Sequence, residues 1–325
     1  MLQFSRFVVM RFIMAIVTLL IVTFIVFSLM ELGPSYVDRC AALVAEFGAD
    51  RRLLDRNYVT RWVYWVTDVF AHGDFGWSCI SRLRINILIG TDFWGSLGLC
   101  LSSLLLAYLI AIPVGIYSAT TNNRTLNNFL RIFSYFGLAI PNFLVALMIL
   151  LAWSILFGET RTGLLSREYH EFAWSYDKFV NFLSHVWIPV LVLGWSATAF
   201  ALQTVRALIS DEYGKLYVTA ARARGLSGQQ LLWRYPARHA LGPVINSLGF
   251  DLNRVFSELP IVALILTLTE AGGLLLESLV RSNDQPLAGA ILFLLTATIV
   301  GFNFLTDIIL AVLDPRFRRG LWGSE

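Results

Sequence analysis

From Phe12 to Met30 the chain runs for 19 residues without a charged side chain. An α-helix rises about 1.5 Å per residue and the hydrocarbon core of a bilayer is about 30 Å thick, so roughly 20 such residues make one crossing. Inside hydrocarbon every backbone N–H and C=O has to be satisfied within the protein, which restricts a segment of this length and apolarity to a helix. Composition extends the argument to the whole chain. Of its 325 residues 57% are hydrophobic and only 14% charged, against roughly a quarter charged in soluble domains. The run is longer than the 7–15 residues or so of a signal-peptide core, and it ends Phe-Ser-Leu-Met-Glu rather than in small residues. It is therefore read as an uncleaved first membrane helix, preceded by Arg6 and Arg11.

Five further apolar spans follow, at about 94–117, 132–157, 186–205, 243–268 and 287–313. Pro113, Pro141 and Pro189 fall inside them, where kinks are expected. Between the first and second spans lies the one sizeable polar region, residues 31–93. Trp62, Val63, Trp65, Val66 and Phe70 recur there at helical spacing, which predicts a helix with one apolar face against the membrane surface or the bundle. Gly73-Asp74-Phe75-Gly76-Trp77-Ser78 then reads as a turn with no chemistry of its own.

Lys and Arg in the short loops fix the orientation, because they accumulate on the cytoplasmic side. With the N-terminus inside, the inner loops hold thirteen of them and the short outer loops four. Both termini are placed in the cytoplasm and 31–93 outside. Cys40 and Cys79 then share an oxidising compartment, in which they either form a disulfide or remain thiols. The cysteines show no metal-site spacing, His72, His170 and His185 stand alone, and no nucleophile–base arrangement is visible. The net charge of +3 is small and scattered, which argues against nucleic acid as a partner.

The inner loop from about 206 to 242 is long for a connection between neighbouring helices. Tyr217-Val218-Thr219-Ala220-Ala221-Arg222-Ala223-Arg224-Gly225-Leu226 predicts a short helix stopping at Gly225. Ser227 is placed as the N-cap of a second helix carrying Leu231, Leu232, Trp233, Arg234 and Arg238. On physical grounds this basic loop either lies on anionic lipid headgroups or docks a cytoplasmic partner.

The decapeptide, followed by Arg238-His239-Ala240-Leu241-Gly242-Pro243, resembles the cytoplasmic loop of ATP-binding cassette (ABC) importer permeases of the dipeptide and oligopeptide branch. The resemblance extends over nearly the whole chain. It includes Gly73-Asp74-Phe75-Gly76-x-Ser78, Ile140-Pro141-x-Phe143, Asn303, Asp307 and the ending Leu313-Asp314-Pro315-Arg316. It implies an all-α membrane protein of six transmembrane helices, the type I ABC importer permease fold with a long extracytoplasmic region after helix one. The implied organisation is a first helix in 1–30, the extracytoplasmic 31–93, and a permease core in 94–325 with the docking loop 206–242. The implied partners are a second homologous permease subunit, two ATP-binding cassette domains carrying ATP-Mg, an extracytoplasmic solute-binding protein and a peptide substrate. The loop would sit in a cleft of the ATPase, with Ala221, Ala223 and Gly225 small enough to enter and Arg222 and Arg224 pairing with acidic residues. Thr219, Ala220, Gly242 and the stretch Thr269-Glu270-Ala271-Gly272-Gly273-Leu274 depart from that branch's pattern.

Leu226-Ser227-Gly228-Gln229-Gln230 looks like the cassette signature, but no GxxxxGK[ST] phosphate loop occurs in the chain. The chain is accordingly read as non-catalytic, binding no cofactor itself, with ATP supplied by partners.

Ser247, Asp251, Arg254 and Glu258 fall on a helical stripe roughly 60° wide in the fifth span. Ionisable groups at membrane depth face a water-filled cavity or the bundle interior. The stripe is expected to line the translocation path or the contact with a second permease subunit, or else to be an internal ion pair, with Arg254 reaching both Asp251 and Glu258. Asn303 and Asp307, four apart in the sixth span, either serve transport or hold helices together. Two other functions remain open: a permease of the same branch for nickel or another small solute, and an ion-coupled secondary carrier using the charged stripe. The secondary carrier is disfavoured by the lack of internal repeats.

Overall fold

The computed structural model describes residues 2–31, 57–78, 80–169, 172–268 and 284–313. Cys40, Cys79 and the 269–274 stretch lie outside them. Helices α1 (Leu2–Glu31), α2 (Tyr58–His72), α3 (Ile85–Thr120), α4 (Arg124–Ala139), α5 (Asn142–Phe157), α6 (Tyr176–Tyr213), α7 (Leu216–Ala223), α8 (Gly228–Arg234), α9 (Pro236–Leu266) and α10 (Gln285–Leu313) account for nearly all of the described chain. The protein is all-α.

Four segments are long and apolar enough to cross a membrane: Ser5–Ser28, Ile85–Thr120, Tyr176–Tyr213 and Pro286–Ala311. The pair α4 and α5, bent by 102° at the break between them, is apolar enough to make a fifth if the two count as one span. This departs from the single kinked span expected over 132–157, and the cause is local. Pro141 disfavours the helical conformation at the residue before it, and here Ile140 is extended at φ −88°, ψ 119° and Pro141 follows at φ −61°, ψ 143°. Two consecutive extended residues break the helix. Pro113 and Pro189, by contrast, lie inside helices that run through them. The bend opens an apolar cavity of about 540 Å³ lined by Phe133, Phe136, Met148, Ile149 and Trp195 among others. The remaining expected span, the fifth in chain order, is α9, 31 residues long but carrying Arg238, Asp251, Arg254 and Glu258, too many charges for it to pass as a crossing on apolarity alone.

The chain divides into two compact units. The first comprises the described residues of Met1–Ser96 and Thr269–Phe304. Here α2 lays its tryptophans on α1: the Trp62 ring meets Phe24 edge-on at 5.2 Å, and its Nε1 donates to Thr23 Oγ1 at 3.2 Å. Trp65 stands between Phe27 and Phe293 at 5.1 and 5.5 Å. The apolar face of α2 is thus turned to helices, although Val63 and Phe70, expected on it, are exposed. The second span begins at Ile85, nine residues ahead of Trp94, as part of a 36-residue helix.

The turn between α2 and α3 is tied down by its own polar groups. Asp74 Oδ1 accepts from Gly76 N at 2.9 Å, Asn86 Oδ1 accepts from Phe75 N at 2.9 Å, and Trp65 Nε1 donates to Phe75 O at 3.2 Å. Ser78, fully buried, donates to the Asp284 carboxylate, whose other oxygen accepts from Leu287 N in the first turn of α10. The motif therefore fixes where α3 and α10 begin.

The second unit comprises Leu97–Leu268 and the described residues of Leu305–Glu325. Its axis is α6, against which α4, α5, α7 and α9 pack. Small residues permit the closest approaches. A Cβ on Gly194 would lie 3.0 Å from Ser103 O of α3, and one on Gly115 would lie 2.9 Å from the Val205 side chain.

Candidate functional site

The predicted docking segment folds as α7. Its end carries the hydrogen bonds of a Schellman cap: Leu226 N donates to Ala221 O at 3.2 Å and Gly225 N to Arg222 O at 3.0 Å. Gly225 has φ +89°, a conformation that only glycine adopts without strain, and a Cβ there would meet nothing within 4 Å. Gly225 is required for its backbone, not for space.

Val218 and Ala221 of α7 and Leu231 of α8 form a buried cluster, with Tyr213, Tyr217, Leu226 and Tyr235 packed around it. The two short helices therefore make a folded hairpin with a core of its own. Tyr217 is held from several sides. Its hydroxyl donates to Glu212, and its ring stands 6.1 Å from Tyr235 and 5.2 Å from His239. Lys215 pairs with Glu212 and, at 3.4 Å, with Asp211, and these partners hold its ammonium above the usual lysine pKa. Ser227 occupies the N-cap position of α8 as expected, but its side chain makes no capping hydrogen bond.

The outward face carries Leu216, Thr219, Ala220, Arg222, Ala223 and Arg224. Arg224 Nη2 donates to the Tyr235 hydroxyl at 3.2 Å, which fixes one of the two arginines expected to pair with a partner. Ala221 is a correction to the sequence reading. It is 0% exposed and points into the hairpin core, so its small size serves the loop's own packing and not entry into a cleft. The exposed small residues are Ala220, Ala223 and Gly225.

The charged stripe of α9 is also placed differently from expectation. Arg254 does not bridge Asp251 and Glu258; the stripe splits in two. Asp251, 2% exposed, accepts from the Tyr108 hydroxyl of α3 at 2.6 Å, and the same hydroxyl lies 2.8 Å from Ser247 Oγ. One turn on, Arg254 Nε lies 3.7 Å from Glu258 Oε1, which also accepts from Ser196 Oγ of α6 at 3.3 Å. Ser196 N in turn donates to Asn142 Oδ1 at 3.2 Å, and Asn142 Nδ2 donates to Leu193 O at 3.2 Å. The first residue of α5 is thus pinned to the middle of α6 where α4 and α5 break. Tyr108, Ser196 and Asn142 were not singled out in the sequence. Nothing along the chain marks them out from the other polar groups of their helices, and only the crossing of helices brings them to the stripe.

The exposed face of α9 is another one, roughly 100° around the helix, carrying Asn246, Phe250, Asn253 and Ser257. Arg254 stands at its edge. Asn303 and Asp307 lie one turn apart on α10, the first exposed and the second half-buried, and both are engaged by neighbouring groups. Among the described residues no group of three or more His, Cys, Asp or Glu is placed to hold a metal ion.

Long apolar helices that bury Asp251 and Glu258 against their neighbours, with a folded basic hairpin between two of them, are those of a multi-pass membrane protein. The chain belongs to the family described as binding-protein-dependent transport system inner membrane components, whose model matches residues 111–319. It is the non-catalytic permease component of an ABC transport system, which works with a partner ATPase and a substrate-binding protein. Among its relatives, the oligopeptide transport system permease protein AppB of Bacillus subtilis is 28% identical over 96% of this chain and 99% of its own length. The peptide transport system permease protein SapB of Salmonella typhimurium is 25% identical over 95% and 96%. The putrescine export system permease protein SapB of Escherichia coli (strain K12) is also 25% identical, with the same coverage.

Proposed function

We propose that this chain is the peptide-translocating permease of an ATP-driven importer, coupled to its ATPase through the hairpin of α7 and α8. The observation that carries the coupling assignment is the two-sided build of that hairpin. Val218, Ala221 and Leu231 close it on itself, while Ala220, Arg222, Ala223 and Arg224 stand outward. Because α6 leads into it and α9 leaves it, a force on the hairpin reaches both helices without a flexible linker. Two of the relatives above are named for peptide transport, which supports peptides as the substrate class.

In this reading both termini and the hairpin are cytoplasmic and residues 31–93 lie outside. The six crossings are α1, α3, the α4–α5 pair, α6, α9 and α10. A second homologous permease subunit completes the path, two cassette domains bind ATP-Mg below it, and the solute-binding protein delivers peptide from above. ATP-driven closure of the cassettes moves the hairpin, and α6 and α9 carry that movement to the pinned break between α4 and α5, opening the path outward.

The test is uptake into proteoliposomes containing the complete complex and its binding protein. ATP-dependent accumulation of a labelled tripeptide, competed by unlabelled peptides and not by nickel or putrescine, is the expected result. Competition by nickel or putrescine alone, or accumulation driven by an ion gradient without ATP, would overturn the proposal.

A further inference from the structure

Arg254 sits at the level of mid-helix Ser196 of α6, a 38-residue membrane-crossing helix, through their shared partner Glu258. Its side chain is 36% exposed. Its Nε lies 3.7 Å from Glu258 Oε1, and among the described residues no hydrogen bond is seen at its terminal guanidinium nitrogens. The guanidinium carbon stands 5.8 Å over the exposed Phe200 ring, at cation–π distance. A guanidinium with open donors is expensive against lipid at this depth and belongs on a water-filled cavity. The same exposed face carries the polar Asn246, Asn253 and Ser257 beside the apolar Phe250, so uncharged hydrogen-bonding groups stand next to the guanidinium.

We infer that Arg254 is a binding residue for the carboxylate of the transported substrate, taking a peptide's C-terminal carboxylate on its open terminal nitrogens. A planar fork with two parallel N–H donors matches a carboxylate bidentately, and such charge-assisted pairs are the strong ones. Glu258 and Asp251 temper the interaction. Glu258 shares the Nε side of the guanidinium, and Asp251, held by Tyr108, lies one turn away, so the local positive field is partly offset. A transport path needs that balance, since a site that binds too tightly does not release. Arg254 thus selects for an anionic end while Asn253 and Ser257 supply uncharged contacts that do not depend on the peptide's sequence.

This inference rests on the peptide-importer reading, and one experiment separates the two. Proteoliposomes with the full complex and its binding protein are supplied with trialanine or trialanine amide, each at a concentration that saturates the binding protein. Wild type is expected to transport the free acid roughly tenfold faster than the amide. In Arg254→Gln that ratio is expected to collapse to about one, through loss of acid transport. Arg254→Lys keeps the charge and the pair with Glu258 but loses the fork, and is expected to fall between. It also serves as the test if Arg254→Gln fails to assemble with its partners. A wild-type ratio near one, or a ratio unchanged in both variants, would overturn the inference while leaving peptide import standing. Equal slowing of both peptides would overturn it too, by making Arg254 an internal pair or a subunit contact. If wild type moves neither peptide, the peptide reading itself fails, and the inference with it.

Discussion

At the scale of single residues, the same amino acid type does different work according to which way it points. Ala221 and Ala223 are two positions apart on α7, yet one is in the hairpin core and the other on the outward face. Gly225 is set by its backbone alone. Gly225→Val is expected to destabilise the hairpin by about 1–3 kcal/mol, because a branched residue at φ +89° is strained whatever the space around it. Faster amide hydrogen exchange confined to residues 214–235 would show this, and Gly225→Asn should be milder. The buried pair of Tyr108 and Asp251 makes a second prediction. Tyr108→Phe leaves the carboxylate of Asp251 short of its donor and should lower stability in detergent by about 1–3 kcal/mol. In a cycle with Asp251→Asn the two effects should be clearly less than additive. Full additivity would mean that the hydrogen bond contributes nothing.

At the scale of elements, the hairpin separates two kinds of damage that the sequence places together. Ala223→Trp adds bulk to the outward face through which the proposed coupling to the ATPase runs. It is expected to leave the hairpin folded and ATP hydrolysis running while uptake falls roughly tenfold or more, the effect of an overpacking penalty of about 1–3 kcal/mol at the contact. Ala221→Trp puts the same bulk into the core with Val218 and Leu231 and should instead unfold the loop. Thermal unfolding and coupling ratio, measured on both variants, tell the cases apart; equal loss of stability in both would argue against an outward face at Ala223. The break between α4 and α5 is likewise made by more than its proline. Pro141 sets the extended backbone, but Asn142 anchors it to α6 through Leu193 O and Ser196 N. Asn142→Leu should therefore destabilise the protein more than Pro141→Ala, as seen in their melting temperatures.

For the whole molecule, the testable quantity is topology. In a background lacking the three native cysteines, a cysteine introduced at Thr219 should react with an impermeant maleimide only in inverted vesicles. One at Glu159, in the loop after α5, should react only in right-side-out ones. Labelling of both from the same side would break the proposed arrangement of six crossings, in which α9 is the crossing least supported by apolarity. Two of its four charges, Asp251 and Glu258, turn toward α3 and α6, where Tyr108 and Ser196 donate to them.

What the sequence determined by itself is what depends on neighbours along the chain. Apolar run length dictates membrane helices, Lys and Arg counts point to an orientation, and Gly225 marks the end of α7, because each of these rests on local chemistry. The order of motifs was enough to suggest the family. What only the tertiary structure decided is direction and pairing. Helical periodicity gathers Ser247, Asp251, Arg254 and Glu258 into one stripe, but it does not say whether that stripe faces inward or outward. The answer depends on a tyrosine 143 residues away and a serine 62 residues away. The crossing of α3, α6 and α9 brings those partners in, turns the stripe inward, and leaves Arg254 as the one of its four residues whose open donors reach the exposed side.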